Sequence, residues 1–534
     1  MALTRLSNGL AIVFVMALGL IALPASAEPS RFESYQFQGV PDKANIRLGD
    51  FSSDLAFFQS VGVRYVVSSG AGMDYIQGNT QSGSTSLGLA STGQSNSRNQ
   101  LGQIKKDGFD FPLVSQVTAR NYWLISNYMS VQLSFALTYR AFPMGSEDNL
   151  FDVGFIDSGF SAVMGSFSFA AGNENWSGNY NGGGNMSASA GGSGFSANLG
   201  TDFELTPYIR GRVYDRPSYR TDYVDPRGYQ DTLSGQRYPV FQNMMGLDLD
   251  WQLAEDKSMG YSVSRTDSIP QDNGYGIGRS VVYQNSLEYR QQINPLTAVG
   301  VRGDWVARDY LEQRGSQDQK DCVAFMNSDI TDDSSVHAEL GYSMAQVEAA
   351  TAYETNGTSD VVIGGVGLQT RLSETISHGL QYRRSQRAGF QAGVEVVDTV
   401  GYHIAWADPE TWAVGLSSAY ESVTPKLARV QAYSAWVNQI TASRPLTRDL
   451  TLILASAYSI RKNTMPPSGD LGVGNLFMSN NYDTWVSTIG LIQTLTLHLK
   501  LYTYVEHLER ISPNPQLAGT REMAGATLGY YYDF

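Results

Sequence analysis

The chain has 534 residues, of which 54 are Gly, 31 Tyr and one Cys, and its net charge is −14. Charged residues make up 16%, against about 25% in an ordinary soluble domain, yet the mean hydropathy is only −0.23. A helical transporter is excluded because no run of about 20 apolar residues follows the N-terminus. A disordered chain is excluded by the 11% aromatic content, and a disulfide-stapled domain by a cysteine, Cys322, that has no second to pair with.

The N-terminus reads as an export signal. Arg5 precedes an apolar stretch, Ala11–Leu23, too short to cross a bilayer comfortably, and Pro24-Ala-Ser-Ala27 offers a small-residue cleavage site before Glu28. No cysteine follows that site, so a lipoprotein is not expected. The expected organisation is a signal peptide over residues 1–27, a short periplasmic segment over 28–54 and one large domain over 55–534. An acidic exported chain is also a poor nucleic-acid binder, so no nucleic-acid partner is expected.

Along the body of the chain the dominant signal is alternation with period two. Val131, Leu133, Phe135, Leu137 and Tyr139 alternate with Gln132, Ser134, Ala136, Thr138 and Arg140. Met245, Leu247, Leu249, Trp251 and Leu253 alternate with Gly246, Asp248, Asp250 and Gln252. Weaker alternations run over Thr297–Arg308, Val336–Tyr342, Val361–Arg371, Val394–Trp406, Val430–Ile440 and Leu450–Arg461. Leu495, Leu497, Leu499 and Leu501 alternate with Thr496, His498, Lys500 and Tyr502. Short polar turns recur between such segments, at Leu205-Thr-Pro-Tyr, Ile293-Asn-Pro-Leu, Leu372-Ser-Glu-Thr and Arg444-Pro-Leu-Thr. Longer polar or Gly-rich connections are read at Ser68–Asp107, Gly172–Gly194, Asp225–Tyr238, Leu311–Asp333 and Lys462–Asn481, with Cys322 in the fourth of these.

In hydrocarbon every backbone N–H and C=O needs a partner within the protein, which only helices and closed sheets supply. With no spanning helix in sight, the expected fold is all-β: a transmembrane antiparallel β-barrel with short turns on the periplasmic side and long loops outside. Pairing turns with loops gives about 22 strands, or 18 or 20 if Phe151–Ala171 or the Gly-rich stretches do not span. An even number leaves both termini in the periplasm. Trp251, Trp305, Trp406, Trp412 and Trp436 fall near strand ends, where amphipathic rings suit the headgroup level.

The last strand carries a resemblance. Leu528, Tyr530, Tyr532 and Phe534 share one face, and a terminal Phe preceded by alternating apolar or aromatic residues resembles the C-terminal signal of Gram-negative outer-membrane barrels. That resemblance implies outer-membrane lipid and the barrel-assembly machinery as partners. Leu133–Phe142, Gln284–Val306, Gly367–Arg384 and Ser443–Arg461 pair alternating strands with L-T-P or N-P-L-T turns. In this they resemble the β-barrel porins found with capsular and exopolysaccharide loci, which carry no catalytic residues. Only Glu28–Asp54 precedes the first strand, which is too short for the plug of a TonB-dependent transporter.

Chemistry-bearing motifs are sparse. No G-x-S-x-G elbow, HExxH, paired CxxC or EF-hand loop is present, so no enzyme activity, metal or cofactor is expected. The functional candidates are instead lumen-lining side chains: Arg140, Asp248, Asp250, Arg302, Asp304, Arg308, Arg383, His498, Lys500, Tyr502 and Tyr504, with Glu339, Glu395 and Glu506 on the same alternation. Such a wall suits polar cargo, because charges hydrogen-bond hydroxyls and tyrosine faces stack on rings; opposite charges that simply pair across strands are the simpler account. Three functions follow. The first is an outer-membrane porin-like channel or export conduit for polar solutes, a polysaccharide among them. The second is a non-conducting surface scaffold, and the third a barrel hydrolase, for which the sequence offers least.

Overall fold

A computed structural model describes residues 46–48, 51–69, 107–111, 113–126, 129–141, 194–224, 236–270, 279–311, 315–348, 356–388, 393–408, 411–427, 432–463, 481–513 and 518–533. The export signal, the loop Ser68–Asp107 beyond its two ends, Phe151–Ala171 and Phe534 lie outside the described residues. Every regular element among those described is a β-strand, 22 segments in all. In chain order they are β1 (Ile46–Leu48), β2 (Phe51–Ser69), β3 (Asp107–Asp110), β4 (Leu113–Ser126), β5 (Met129–Ala141), β6 (Gly194–Thr206), β7 (Ile209–Val224) and β8 (Gln236–Ala254). There follow β9 (Lys257–Pro270), β10 (Ser280–Asn294), β11 (Thr297–Tyr310), β12 (Gly315–Thr331), β13 (Ser334–Glu348), β14 (Gly357–Ser373) and β15 (Ile376–Ala388). The series ends with β16 (Val394–Ala407), β17 (Ala413–Lys426), β18 (Tyr433–Thr447), β19 (Leu450–Asn463), β20 (Tyr482–Thr494), β21 (Leu499–Ile511) and β22 (Gly519–Asp533).

From β4 onward each strand pairs antiparallel with the next, and the sheet closes where β22 pairs with β2 from Ala56↔Asp533 to Ser69↔Thr520. β3 and β4 lie end to end along the other edge of β2, and β1 is a stub folded against Phe51–Ser53. The closed ring of described strands therefore has twenty positions, fewer than the 22 favoured by the sequence. β5 pairs directly with β6, so the ring has no place for a strand between them. Both ends of the ring, at Phe51 and Asp533, lie on the side of the short turns.

Six of those turns share one device. The hydroxyl or amide oxygen at the start of each accepts a bond from the backbone N–H two residues on: Tyr208 N to Thr206 Oγ1 (3.2 Å), Leu296 N to Asn294 Oδ1 (2.9 Å), Asp333 N to Thr331 Oγ1 (3.3 Å), Thr375 N to Ser373 Oγ (3.3 Å), Asp449 N to Thr447 Oγ1 (3.3 Å) and His498 N to Thr496 Oγ1 (3.3 Å). Ser, Thr and Asn favour turns because they offer the backbone this local partner. Two sequence expectations fail here. The run Leu495–Tyr502 is not one strand: Thr496–His498 form the β20–β21 turn, closed by Leu499 N to Thr496 O (3.3 Å). Leu311–Asp333 is not a long loop either. Most of it is β12, and Cys322 sits in mid-strand opposite Gly303 and Tyr342.

Side chains split by parity. Met245, Trp251, Leu253, Leu340, Tyr342, Val362, Val366, Leu380, Leu416, Ile440, Ile489 and Val505 are exposed, while polar Asp202, Arg212, Asp248, Ser343, Thr441 and Glu506, at positions of the other parity, are buried. This inverts a soluble protein. Left in water, such a belt would forgo about 1.5–3 kcal/mol for each Val or Leu side chain, and a ring-shaped apolar patch of this size marks a surface made for lipid. Aromatic rings band the belt at both rims: Trp123, Tyr208, Trp251, Trp406 and Tyr530 towards the turns, and Tyr283, Trp305, Tyr420, Trp436, Tyr458 and Trp485 towards the loops. Their polar ends find partners, as amphipathic rings at a wet boundary do. Trp436 Nε1 donates to Ser418 Oγ (2.9 Å), Trp485 Nε1 to Ser456 Oγ (3.0 Å) and Tyr458 Oη to Asp483 Oδ2 (3.0 Å).

Candidate functional site: the inner wall

The positions opposite the apolar belt carry rows of alternating charge. In β6–β8 the register sets Asp202 against Arg212 and Arg212 against Asp248, with Glu204, Arg210 and Asp250 in the next row. Arg212 Nε sits 2.8 Å from Asp202 Oδ1 and both side chains are nearly inaccessible, while Ser262 Oγ donates to Asp248 Oδ1 at 2.6 Å. Arg210 reaches Glu204 at 3.9 Å. The guanidinium of Arg216 lies 4.3 Å above the ring of Tyr214, a cation–π contact.

A second row runs over β10–β15. Ser286 Oγ donates to Asp304 Oδ1 (2.6 Å) and Arg302 Nε to Asp304 Oδ2 (2.9 Å). Glu339 is the hub, within 3.8 Å of Arg302 Nη2, 3.5 Å of Arg383 Nε and 3.7 Å of His337 Nε2. Gln319 Nε2 donates to Asp321 Oδ2 (3.0 Å). Arg302, Asp304, Asp321, Glu339, Arg383 and Gln386 line a recess of about 110 Å³.

The sequence-derived candidates distribute unevenly. Asp248, Asp250, Arg302, Asp304 and Arg383 belong to these rows, and Arg308 lies on the same face of β11, opposite Val282 and Gln317. Lys500, Tyr502 and Tyr504 share one face of β21 with buried Glu506. The two tyrosine rings stack, 5.1 Å apart at 17°. They lie flat along the wall, because a Cβ added to Gly490 or Gly525 would come within 2.7 Å of them. Arg140 occupies β5 opposite Val114. His498 does not belong to the wall: it sits in the β20–β21 turn, near the rings of Tyr530 and Tyr532. Leu528, Tyr530 and Tyr532 are exposed on the outer face of β22.

Asp202, Glu204, Arg210, Arg212 and Asp321 were not singled out from the sequence. Four of them were findable, because Asp-Phe-Glu and Arg-Gly-Arg flank the Thr206–Ile209 turn symmetrically, and folding the hairpin there opposes them. Among the described residues no group of three or more His, Cys, Asp and Glu side chains could hold a metal ion.

No protein-family model matches the sequence, and no curated relative does. Solved structures are similar in fold. The siderophore receptor PirA from Pseudomonas aeruginosa shares 6% identity over 89% of this chain and 80% of its own, with a TM-score of 0.44. The FrpB iron transporter from Neisseria meningitidis shares 8% over 89% and 82%, with a TM-score of 0.45. The copper transporter OprC shares 8% over 91% and 82%, with a TM-score of 0.43. At such identities and scores these likenesses carry no functional argument.

Proposed function

We propose that this protein is an outer-membrane conduit for polar solutes. The observation that carries the reading is the polarity of the closed ring: an apolar outer wall banded by aromatic rims, and an inner wall of paired charges, amides and hydroxyls. A barrel wider than about 8 strands has more interior than its own side chains need fill, and a polar wall keeps that interior wet. The charges alternate in sign, so the wall offers donors and acceptors to neutral polar cargo without a strong field of either sign. A saccharide chain, with its many hydroxyls, is the largest cargo such a wall suits.

The same reading makes residues 1–27 a cleaved export signal and the chain from residue 28 up to the start of β2 a periplasmic lead-in. Leu528, Tyr530, Tyr532 and Phe534 would be the strand face that the assembly machinery engages, and Asp248, Asp250, Arg302, Asp304, Arg308, Arg383, Lys500, Tyr502 and Tyr504 would line the path, with Arg140. The test is single-channel recording from folded protein in planar bilayers. Stepwise ionic current is expected, with block by a polar oligosaccharide if saccharides are cargo. Folded protein that inserts without passing current would overturn the conduit and favour a surface scaffold.

A further inference from the structure

The ring has one irregular sector. β14 and β15 pair from Ser373↔Ile376 up to Gly364↔Arg384 and then part. Above that point β15 keeps β16 as its partner, through Ala388↔Val394, while β14 keeps β13, through Val347↔Gly357. The β15–β16 hairpin then crosses the inner faces of β14, β13 and β12. Val394, Glu395, Val396 and Val397 are all buried in succession, so both faces of this strand are covered, unlike a single-layer wall. Val394 packs in one cluster with Ala345 and Val347 of β13. Gln319 Nε2 of β12 donates to Gln386 O at 2.9 Å, and Gln386 Nε2 reaches Ser359 O of β14 at 3.4 Å.

Backbone conformation marks the same place. Among the described residues the two with positive φ are Gly393 (61°), at the hairpin tip, and Leu427 (57°), at the end of β17. A branched residue in the left-handed region is strained, and such strain persists only where the surroundings hold it. Here Leu427 packs on Val394 and its cluster, and its carbonyl oxygen lies 2.5 Å from where a Cβ on Gly393 would be. On the side facing away from β13, Arg387 Nε lies 3.3 Å from Glu395 Oε2 and Arg387 Nη2 lies 3.5 Å from Glu421 Oε1, and Tyr433 Oη donates to Glu421 at 3.4 Å.

We propose that the folded-in β15–β16 hairpin is the constriction of the lumen. The proposal rests on the conduit reading. Its geometry is tested without current. In a Cys322→Ser background, Ala345→Cys with Val394→Cys should cross-link in the folded barrel with a short bis-thiol reagent, and neither single variant should form the product. A folded double variant that stays unlinked overturns the proposal. Its effect is tested in planar bilayers with Val394→Asp/Val396→Asp, which breaks the apolar seat, and with the cross-linked protein, which stays closed down. The Asp variant should conduct severalfold better than the cross-linked barrel. Equal conductance in open and linked forms overturns the constriction while leaving the conduit standing. A barrel that links at 345 and 394 but passes no current in either form overturns the conduit, and with it the constriction.

Discussion

The β6–β8 wall and the β13–β16 sector solve the same problem in opposite ways. In β6–β8, beside the Thr206–Ile209 turn, register is kept, and Asp202 and Asp248 meet Arg212 while Glu204 and Asp250 meet Arg210 on the neighbouring strand. The wall is one layer thick, and Arg212 is nearly sealed between Asp202 and Asp248. In β13–β16 the ladder opens at Gly364↔Arg384. One pair of strands stays in the wall and the other turns inward to make a second layer, leaving a recess at the fork. There Arg383 pairs with Glu339 while remaining largely exposed. A closed sheet thus neutralises its own interior where register is kept, and creates a distinct internal surface where register is abandoned.

The sharpest test of that contrast is one residue type in two places. Arg212→Met strands two carboxylates on a sealed wall and should cost about 3–5 kcal/mol, read from denaturant unfolding of the barrel in detergent or lipid. A smaller effect is expected on the outer belt. Ile440→Lys places a charge at mid-strand against lipid and should cost about 2–4 kcal/mol in the same assay, whereas Gln439→Lys, facing inward, should cost far less. In the forked sector, Gly393→Ala imposes a Cβ on a left-handed residue, at about 1–2 kcal/mol, and should loosen the hairpin without unfolding the ring. Limited proteolysis near residue 390 should report that loosening. Least of all, Arg383→Met should change stability by under about 1 kcal/mol, as solvent-exposed ion pairs do. Should Arg383→Met cost as much as Arg212→Met, the two regions would not differ in the way described.

Much of the architecture is legible because a membrane barrel writes its two environments into alternate residues. Val131–Tyr139 and Met245–Leu253 are read as strands from that rhythm, and they lie in β5 and β8. What escaped has physical reasons. β12 runs through Gln317-Asp-Gln-Lys-Asp321, polar on both faces because that end of the strand stands clear of the apolar belt, so it carries no alternation. The β20–β21 turn is hidden for the converse reason, since Thr496 and His498 fall in phase with the leucines on either side. The hydroxyl device at Thr496 and Thr331 was the available signal. The fork left a trace too: Val394, Val396 and Val397 put apolar residues on both faces at once, which a lipid–water wall does not need but a two-layer packing does. The charge rows of β6–β8 required register, and register becomes readable once the turn at Thr206–Ile209 is fixed.

The claim on which everything else stands is that alternate residues of one strand face lipid and an aqueous interior. Single cysteines placed at each position from 436 to 441 in the Cys322→Ser protein, labelled with an environment-sensitive fluorophore in lipid vesicles, test it directly. The account predicts that labels at 436, 438 and 440 are quenched by lipid-borne quenchers, and that those at 437, 439 and 441 respond instead to water-soluble ones. A uniform response along the strand, or lipid quenching on the 437–439–441 set, would contradict it.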